Sequence, residues 1–343
     1  MPTIDQSILP TPDELTALLP VSSKSKQSVL EFRNSCATIL RGDDKRIALL
    51  LGPCSIHDCK AALDYGKKIK ELQALVDSDV FLVMRVFFEK PRTRIGWKGL
   101  LYDPFLDGSN HLAEGLKQSR KLLIDLTELG VPCATEFLDP LVASYLSDLI
   151  SWGLVGARTV ASQPHRQLAS GLGFPIGFKN GIFGELDPAI SGIIASRMPH
   201  THFSINGAGK ISALQTTGNP LTHLVLRGSE KTINCDSASV QLALLQLKEH
   251  HLEQRVVIDC AHGNSGKDSR RQIIAFNLCL EQIRRGCREI RGLMLESNLK
   301  PGKQSIPKEQ EQLLYGVSIT DDCLGWDETE ALVSSICMSG VQK

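Results

Sequence analysis

Eight short apolar runs in this chain end in, or run just into, a polar residue able to hold an anion or a metal: Cys54, Arg85, Glu136, Arg158, Lys179, Arg227, His262 and Glu296. Two chemistries follow from the residue types. Cys54, His262, Glu296 and Asp321 offer sulfur, nitrogen and oxygen donors, a mixed set that suits one borderline first-row divalent ion (Mn, Fe, Co or Zn) better than Ca or Mg. The four are far apart in the chain, and a buried Cys or His is also an ordinary packing residue, so metal binding and packing both stay open at this level. Arg85, Lys90, Arg92, Arg158, Lys179 and Arg227 form a second set, cationic and placed at strand ends or in the loops just after them. Burying a cation is costly unless an anion compensates it. Several aimed at one mouth imply a ligand with more than one anionic group, such as phosphate plus carboxylate. Pairing with the protein's own carboxylates is the alternative.

The elements that must position these groups are legible in the same runs. IALLLGPC, VFLVMR, CATE, GART, PIGFK, HLVLR, VVIDCAH and RGLMLE lack the alternation of a half-solvated strand and read as parallel strands buried on both faces. Helical stretches at about 58–76, 110–129, 139–151, 164–171, 187–197, 237–252, 268–285 and 327–338 separate them. The expected fold is α/β, a (β/α)8 TIM barrel, whose reacting groups gather at the C-terminal ends of the strands. An N-terminal helical arm, 1–43, precedes the barrel, 44–343. Within the arm, TPDELTALLP reads as a short helix capped by Thr11, with Glu14 at the capping-box position, and a second helix spans about 24–41. Segment 86–109, long, basic and rich in Gly and Pro, reads as an active-site loop. Segment 202–219 reads as an inserted β-hairpin turning at Asn206–Gly209.

Composition narrows the partners. Lys plus Arg and Asp plus Glu are 38 each, which leaves no global footprint for nucleic acid or an anionic membrane. No apolar run reaches the ~18 residues of a membrane span, and the start MPTIDQ is unlike a secretory leader, so a cytoplasmic location is expected. Ten irregularly spaced cysteines then read as reduced thiols, mostly small core residues, with Cys54 the exception because it follows a strand into the barrel mouth.

The strings GPCSIHD (52–58), MRVFFEKPRTRIGWKGL (84–100), GARTVASQPHRQLASGL (156–172), GFKNG (177–181), LRG (226–228), IDCAHGNSGK (258–267), MLESNL (294–299) and YGVSITDDCLGW (315–326) closely resemble the type I, microbial feedback-regulated 3-deoxy-D-arabino-heptulosonate-7-phosphate (DAHP) synthases. The resemblance runs from about residue 40 to the C-terminus. It implies a TIM barrel performing the first step of the shikimate pathway, in which phosphoenolpyruvate and erythrose 4-phosphate give DAHP and phosphate. By motif, Cys54, His262, Glu296 and Asp321 resemble the metal ligands. Arg85, Lys90, Arg158, Lys179 and Arg227 resemble the phosphoenolpyruvate site, and Arg92 and Thr93 the erythrose 4-phosphate contacts. Lys90 and His262 are the expected catalytic residues, Lys90 for proton delivery and His262 through ligation. The resemblance also implies an aromatic amino-acid effector and a homodimer or homotetramer. Departures fall at Ile182-Phe183-Gly184, where relatives carry Thr-Asp-Gly, and near the effector pocket at Pro140, Ser144 and Gly173, where Met, Gln and Ser are usual. QTTGNP at 215–220 is most like the tryptophan-sensitive relatives. A related synthase using arabinose 5-phosphate and a non-catalytic sensing or assembly paralogue are the competing readings; KPRT and SITDDC favour the four-carbon sugar.

Overall fold

The structure is a computed structural model describing residues 7–92, 94–307 and 309–338. Eight parallel strands close into a barrel: β1 (Ile47–Gly52), β2 (Val80–Arg85), β3 (Cys133–Glu136), β4 (Trp152–Val155), β5 (Ile176–Lys179), β8 (Thr222–Leu226), β9 (Val256–Asp259) and β10 (Ile290–Glu296). β6 (Thr201–Ile205) and β7 (Ile211–Gln215) make a separate antiparallel hairpin inserted before β8. Helices follow the strands, among them α3 (Cys59–Val76), α4 (Leu112–Leu129), α6 (Gln163–Gly171), α7 (Asp187–Ser196), α8 (Ser237–Glu249), α10 (Ser269–Arg284) and α11 (Trp326–Met338).

Every residue of β1, β2, β3, β4, β5, β8 and β9 is buried, which accounts for their unbroken apolar reading. Burial on both faces hides a strict division. Ile47, Leu49 and Leu51 of β1 pack outward beneath the helices, whereas Ala48 and Leu50 join Phe81, Val83, Ala134, Trp152, Leu154, Val225, Val257 and Met294 in the lumen. That lumen is a packed core and not a pore, as the fold requires.

The arm divides into two parts with different roles. α1 (Pro12–Leu18) has the expected capping box, with Glu14 N donating to Thr11 Oγ1 at 3.2 Å and Thr11 N to Glu14 Oε2 at 2.8 Å. It docks on its own barrel: Asp13 N donates to Gly207 O of the hairpin turn at 2.9 Å, and Tyr145 Oη donates to Pro10 O at 2.9 Å. α2 (Ser23–Arg41), by contrast, sends Cys36, Ile39 and Leu40 into the lumen cluster and plugs the N-terminal end of the barrel. Deleting residues 1–19 should therefore spare catalysis and cost about 2 kcal/mol of stability, the worth of burying one leucine such as Leu15. A deletion running to residue 41, which removes Cys36, Ile39 and Leu40, should unfold the chain, and melting curves of both truncations separate the cases.

Two expected elements differ. The stretch 139–151 is not one helix but Pro140–Val142 in a 3-10 turn, α5 (Ala143–Leu146) and a second 3-10 turn, Ser147–Leu149. The reason is competition for carbonyls: Arg120 takes Tyr145 O at 2.8 Å, and Arg33 takes Ser147 O at 2.5 Å and Ile150 O at 2.8 Å. GART is not a strand either. The apolar residues WGLV form β4, and Arg158 stands in the turn beyond it.

Candidate functional site

Side chains along a strand alternate in direction, so the inward set of each strand continues to its polar end. Phe81 and Val83 lead to Arg85, Ala134 to Glu136, Val225 to Arg227, Val257 to Asp259 and Met294 to Glu296. Lys179 closes β5 in the same way, 3.1 Å from Glu136 Oε2 and 3.5 Å from Asp259 Oδ2. Gly156 leaves room for the carboxylate of Glu136, since a Cβ there would lie 2.4 Å from Oε1. A ring of charges thus sits on top of the lumen, at one end.

Donor atoms of Cys54, Glu296 and Asp321 lie within 4.8 Å of one another. Cys54 and Glu296 meet because β1 and β10 are neighbours, with Gly52 opposite Glu296. Burial pushes the Cys54 thiol up, and Glu296 and Asp321 push it further, while Lys90 opposes them. A sulfur and two carboxylates that repel one another in a buried site are relieved by a cation, so the donor set fits a metal ion. His262, the fourth of the expected ligands, stands beside this group and not within it: Nε2 is 3.7 Å from Glu296 Oε1 and Nδ1 is 2.8 Å from Asp259 Oδ2. A carboxylate behind the ring orients a ligating histidine. His262 has a left-handed backbone (φ +49°), a strained conformation of the kind found at functional sites.

The cations divide. Lys90 Nζ donates to Cys54 Sγ at 3.0 Å and Cys54 O at 3.3 Å. Burial disfavours its charge, yet Cys54, Glu296 and Asp321 outweigh this and raise its pKa, so Lys90 is a firmly protonated ammonium. Arg85, fully buried, donates from Nη2 to Glu296 Oε1 at 2.9 Å and lies 4.0 Å over the ring of Phe87; Lys179 Nζ is 5.5 Å from the same ring centre. Burial works against the charges of Glu136 and Asp259, but Lys179, and for Asp259 first His262, hold both carboxyls below the usual range. Arg85 and Lys179 therefore have internal carboxylate partners, the alternative that their residue types left open. Arg227 donates to Gly228 O at 3.3 Å. Arg158 and Arg92 are exposed, the latter donating to Trp97 O at 2.7 Å. Thr93 lies outside the described residues. Phe87 and Asp259 carry no weight in the sequence reading. Their signal is parity with Arg85 and with Val257.

The sequence matches the DAHP synthetase I family over residues 19–334. The chain belongs to that family. It is 46% identical over 332 residues to the Tyr-sensitive phospho-2-dehydro-3-deoxyheptonate aldolase of Escherichia coli, covering 97% of this chain and 93% of that protein. The Trp-sensitive enzyme of the same organism is 44% identical over 328 residues, covering 96% and 94%. A solved phospho-2-dehydro-3-deoxyheptonate aldolase from Francisella tularensis superposes with a TM-score of 0.97 at 41% identity, covering 99% of both chains. Membership in the DAHP synthetase I family makes the chain a transferase, a 3-deoxy-7-phosphoheptulonate synthase of the shikimate pathway.

Residues 182–184 and the positions Pro140, Ser144 and Gly173 lie in two separate surface regions. Phe183 projects, 78% exposed, from a tight turn in which Gly184 N donates to Gly181 O at 3.1 Å. Pro140 and Ser144 line a cavity of about 330 Å³ with Gln167, Leu168, His202 and Ser204, between α5, α6 and the hairpin. His202 Nε2 is buried there without a hydrogen-bond partner among the described residues. Gly173 lies beyond the lining residues Gly171 and Leu172, in open space where a Cβ would meet nothing within 4 Å.

Proposed function

We propose that the barrel mouth condenses phosphoenolpyruvate with erythrose 4-phosphate through the following division of labour. Cys54, Glu296 and Asp321, joined by His262, hold one divalent ion, Mn, Fe, Co or Zn, which when bound supplies a Lewis acid toward the aldehyde oxygen. Lys179, Arg227 and Arg158, with Arg85 and Lys90, receive the phosphate and carboxylate of phosphoenolpyruvate, and Arg92 and Thr93 the phosphate of the sugar. Carbon 3 of phosphoenolpyruvate bonds to the aldehyde carbon while Lys90, kept protonated by its acidic neighbours, delivers a proton to the aldehyde oxygen. Water adds at carbon 2, and phosphate departs with cleavage of its C–O bond.

The observation that carries this reading is the convergence of the three donors, with the Lys90 ammonium 3.0 Å from the sulfur. A panel offering erythrose 4-phosphate and arabinose 5-phosphate, with phosphate release as readout, tests it. Release with the four-carbon sugar is expected. Preference for the pentose would make the chain the related octulosonate-phosphate synthase, and release with neither would leave a non-catalytic paralogue.

The cavity behind Pro140 suits an aromatic amino-acid effector, with His202 Nε2, which has no partner among the described residues, as its polar contact. Residues 1–43 and the hairpin they touch are assigned to association into a homodimer or homotetramer, with catalysis in 44–343. No helix among the described residues is long and apolar enough to cross a membrane; we assign the enzyme to the cytoplasm, with no nucleic-acid or membrane partner.

A further inference from the structure

Glu89 immediately precedes Lys90, yet its side chain goes the other way. It is buried, 3% exposed, and reaches across to the turn after β3. There Oε2 accepts Leu138 N at 3.1 Å, and Oε1 accepts Asp139 N at 3.3 Å and Tyr102 Oη at 3.3 Å. Consecutive residues of an extended segment point to opposite sides, so a hold on Glu89 fixes the direction in which Lys90 leaves the chain. The surrounding loop is closed on itself by Lys90 N to Lys98 O at 2.8 Å and Leu101 N to Phe88 O at 3.2 Å. Gly99 (φ +115°) permits that closure, since a Cβ there would lie 2.1 Å from Phe88 O. The turn is fixed from its far side by His165, whose Nε2 is 2.8 Å from Leu138 O.

We propose that Glu89 is a positioning residue for the condensation: its carboxylate ties the loop carrying Lys90 and Arg92 to the turn after β3, and thereby aims the Lys90 ammonium at the barrel mouth. This rests on the role assigned to Lys90 above. Three donors converge on the two oxygens, an arrangement in which the ionised group accepts all three. The charge is not there for stability. Burial, aided by Asp139 and opposed by the two peptide N–H groups and Tyr102, moves the carboxyl from 4.5 up to about 7. The folded state thus binds the proton more tightly than the unfolded chain, and stability falls as pH rises through that window. Tyr102, Asp139 and, behind the turn, His165 are the titratable groups facing it.

The test is Glu89→Gln, with Glu89→Asp as the conservative comparison, in the metal-loaded full-length enzyme. The wild type is expected to lose kcat on acidification below about pH 7. Glu89→Gln should lower kcat roughly tenfold or more, the worth of a hydrogen bond to a charged acceptor, and raise KM for phosphoenolpyruvate by a smaller factor, because Arg85, Arg158, Lys179 and Arg227 still hold that substrate. The acid limb should vanish in this variant, its melting temperature at pH 8 should not fall, and Glu89→Asp should restore part of kcat with the limb. Unchanged kcat with the limb retained would overturn the proposal. So would a loss of activity matched by a lower melting temperature, which would make Glu89 a structural group only. A wild type that released no phosphate would instead sink the assignment of the reaction.

Discussion

Replacing Lys179 with alanine is expected to abolish measurable turnover and to destabilise the fold by about 3–5 kcal/mol, the usual consequence of removing one partner from a buried ion pair. Lys179 stands between Glu136 and Asp259, all three nearly or fully buried. In the wild type both carboxyls are held below their ordinary range, so their contribution to stability is present above the unfolded pKa of about 4 and is lost as pH falls through the folded values. Without the ammonium the order reverses: two buried carboxylates face each other across the site, protonation relieves them, and the variant should gain stability as the solution is acidified from neutrality. Denaturant melts at several pH values check this directly. A Lys179→Ala protein with wild-type stability and wild-type affinity for phosphoenolpyruvate would show that the cluster neither bears structural charge nor binds the substrate.

Chelation should remove activity completely, and Mn, Fe or Co should restore it. The same ions should raise the melting temperature of the chelated protein, by an amount equivalent to about 2.7 kcal/mol at a hundredfold excess over Kd. Asp321→Asn is the cleaner ligand variant, because Asp321 is partly exposed, whereas Glu296 also neutralises Arg85 at 2.9 Å. Asp321→Asn should lose bound metal and the thermal increment together while the metal-free protein stays folded. Glu296→Gln should lose both and stability besides. Full turnover in exhaustively chelated protein would dismiss the metal site.

Much of this architecture was readable from the chain because a doubly buried parallel strand has a simple signature, and because register carries a strand's inward set on to its last residue. Arg85, Lys179, Arg227 and Glu296 follow from that rule. So does Asp259, which escaped notice because His262 three residues later is the more familiar ligand type. Glu89 escaped for a different reason: its partners are backbone N–H groups about fifty positions away, which no local pattern encodes. The broken helix after β3 was equally hidden, since distant arginines take the carbonyls that a helix would need. The second helix of the arm is legible as a helix, but its entry into the lumen is not, because an amphipathic helix reads the same whether it covers a barrel or plugs it.

The first and last strands of the barrel are partners, with Gly52 beside Glu296. Cys54 is thus supplied by the beginning of the barrel, and Glu296 and Asp321 by its end, so the donors face each other across the seam where the cylinder is sewn shut. A chain emerging from a ribosome holds no such site until Asp321 has been made. Until then β1 presents one unpaired edge and waits. An ion gripped across the seam would work as a clasp: it would fasten the two ends of the barrel to each other, and only a finished cylinder could wear it.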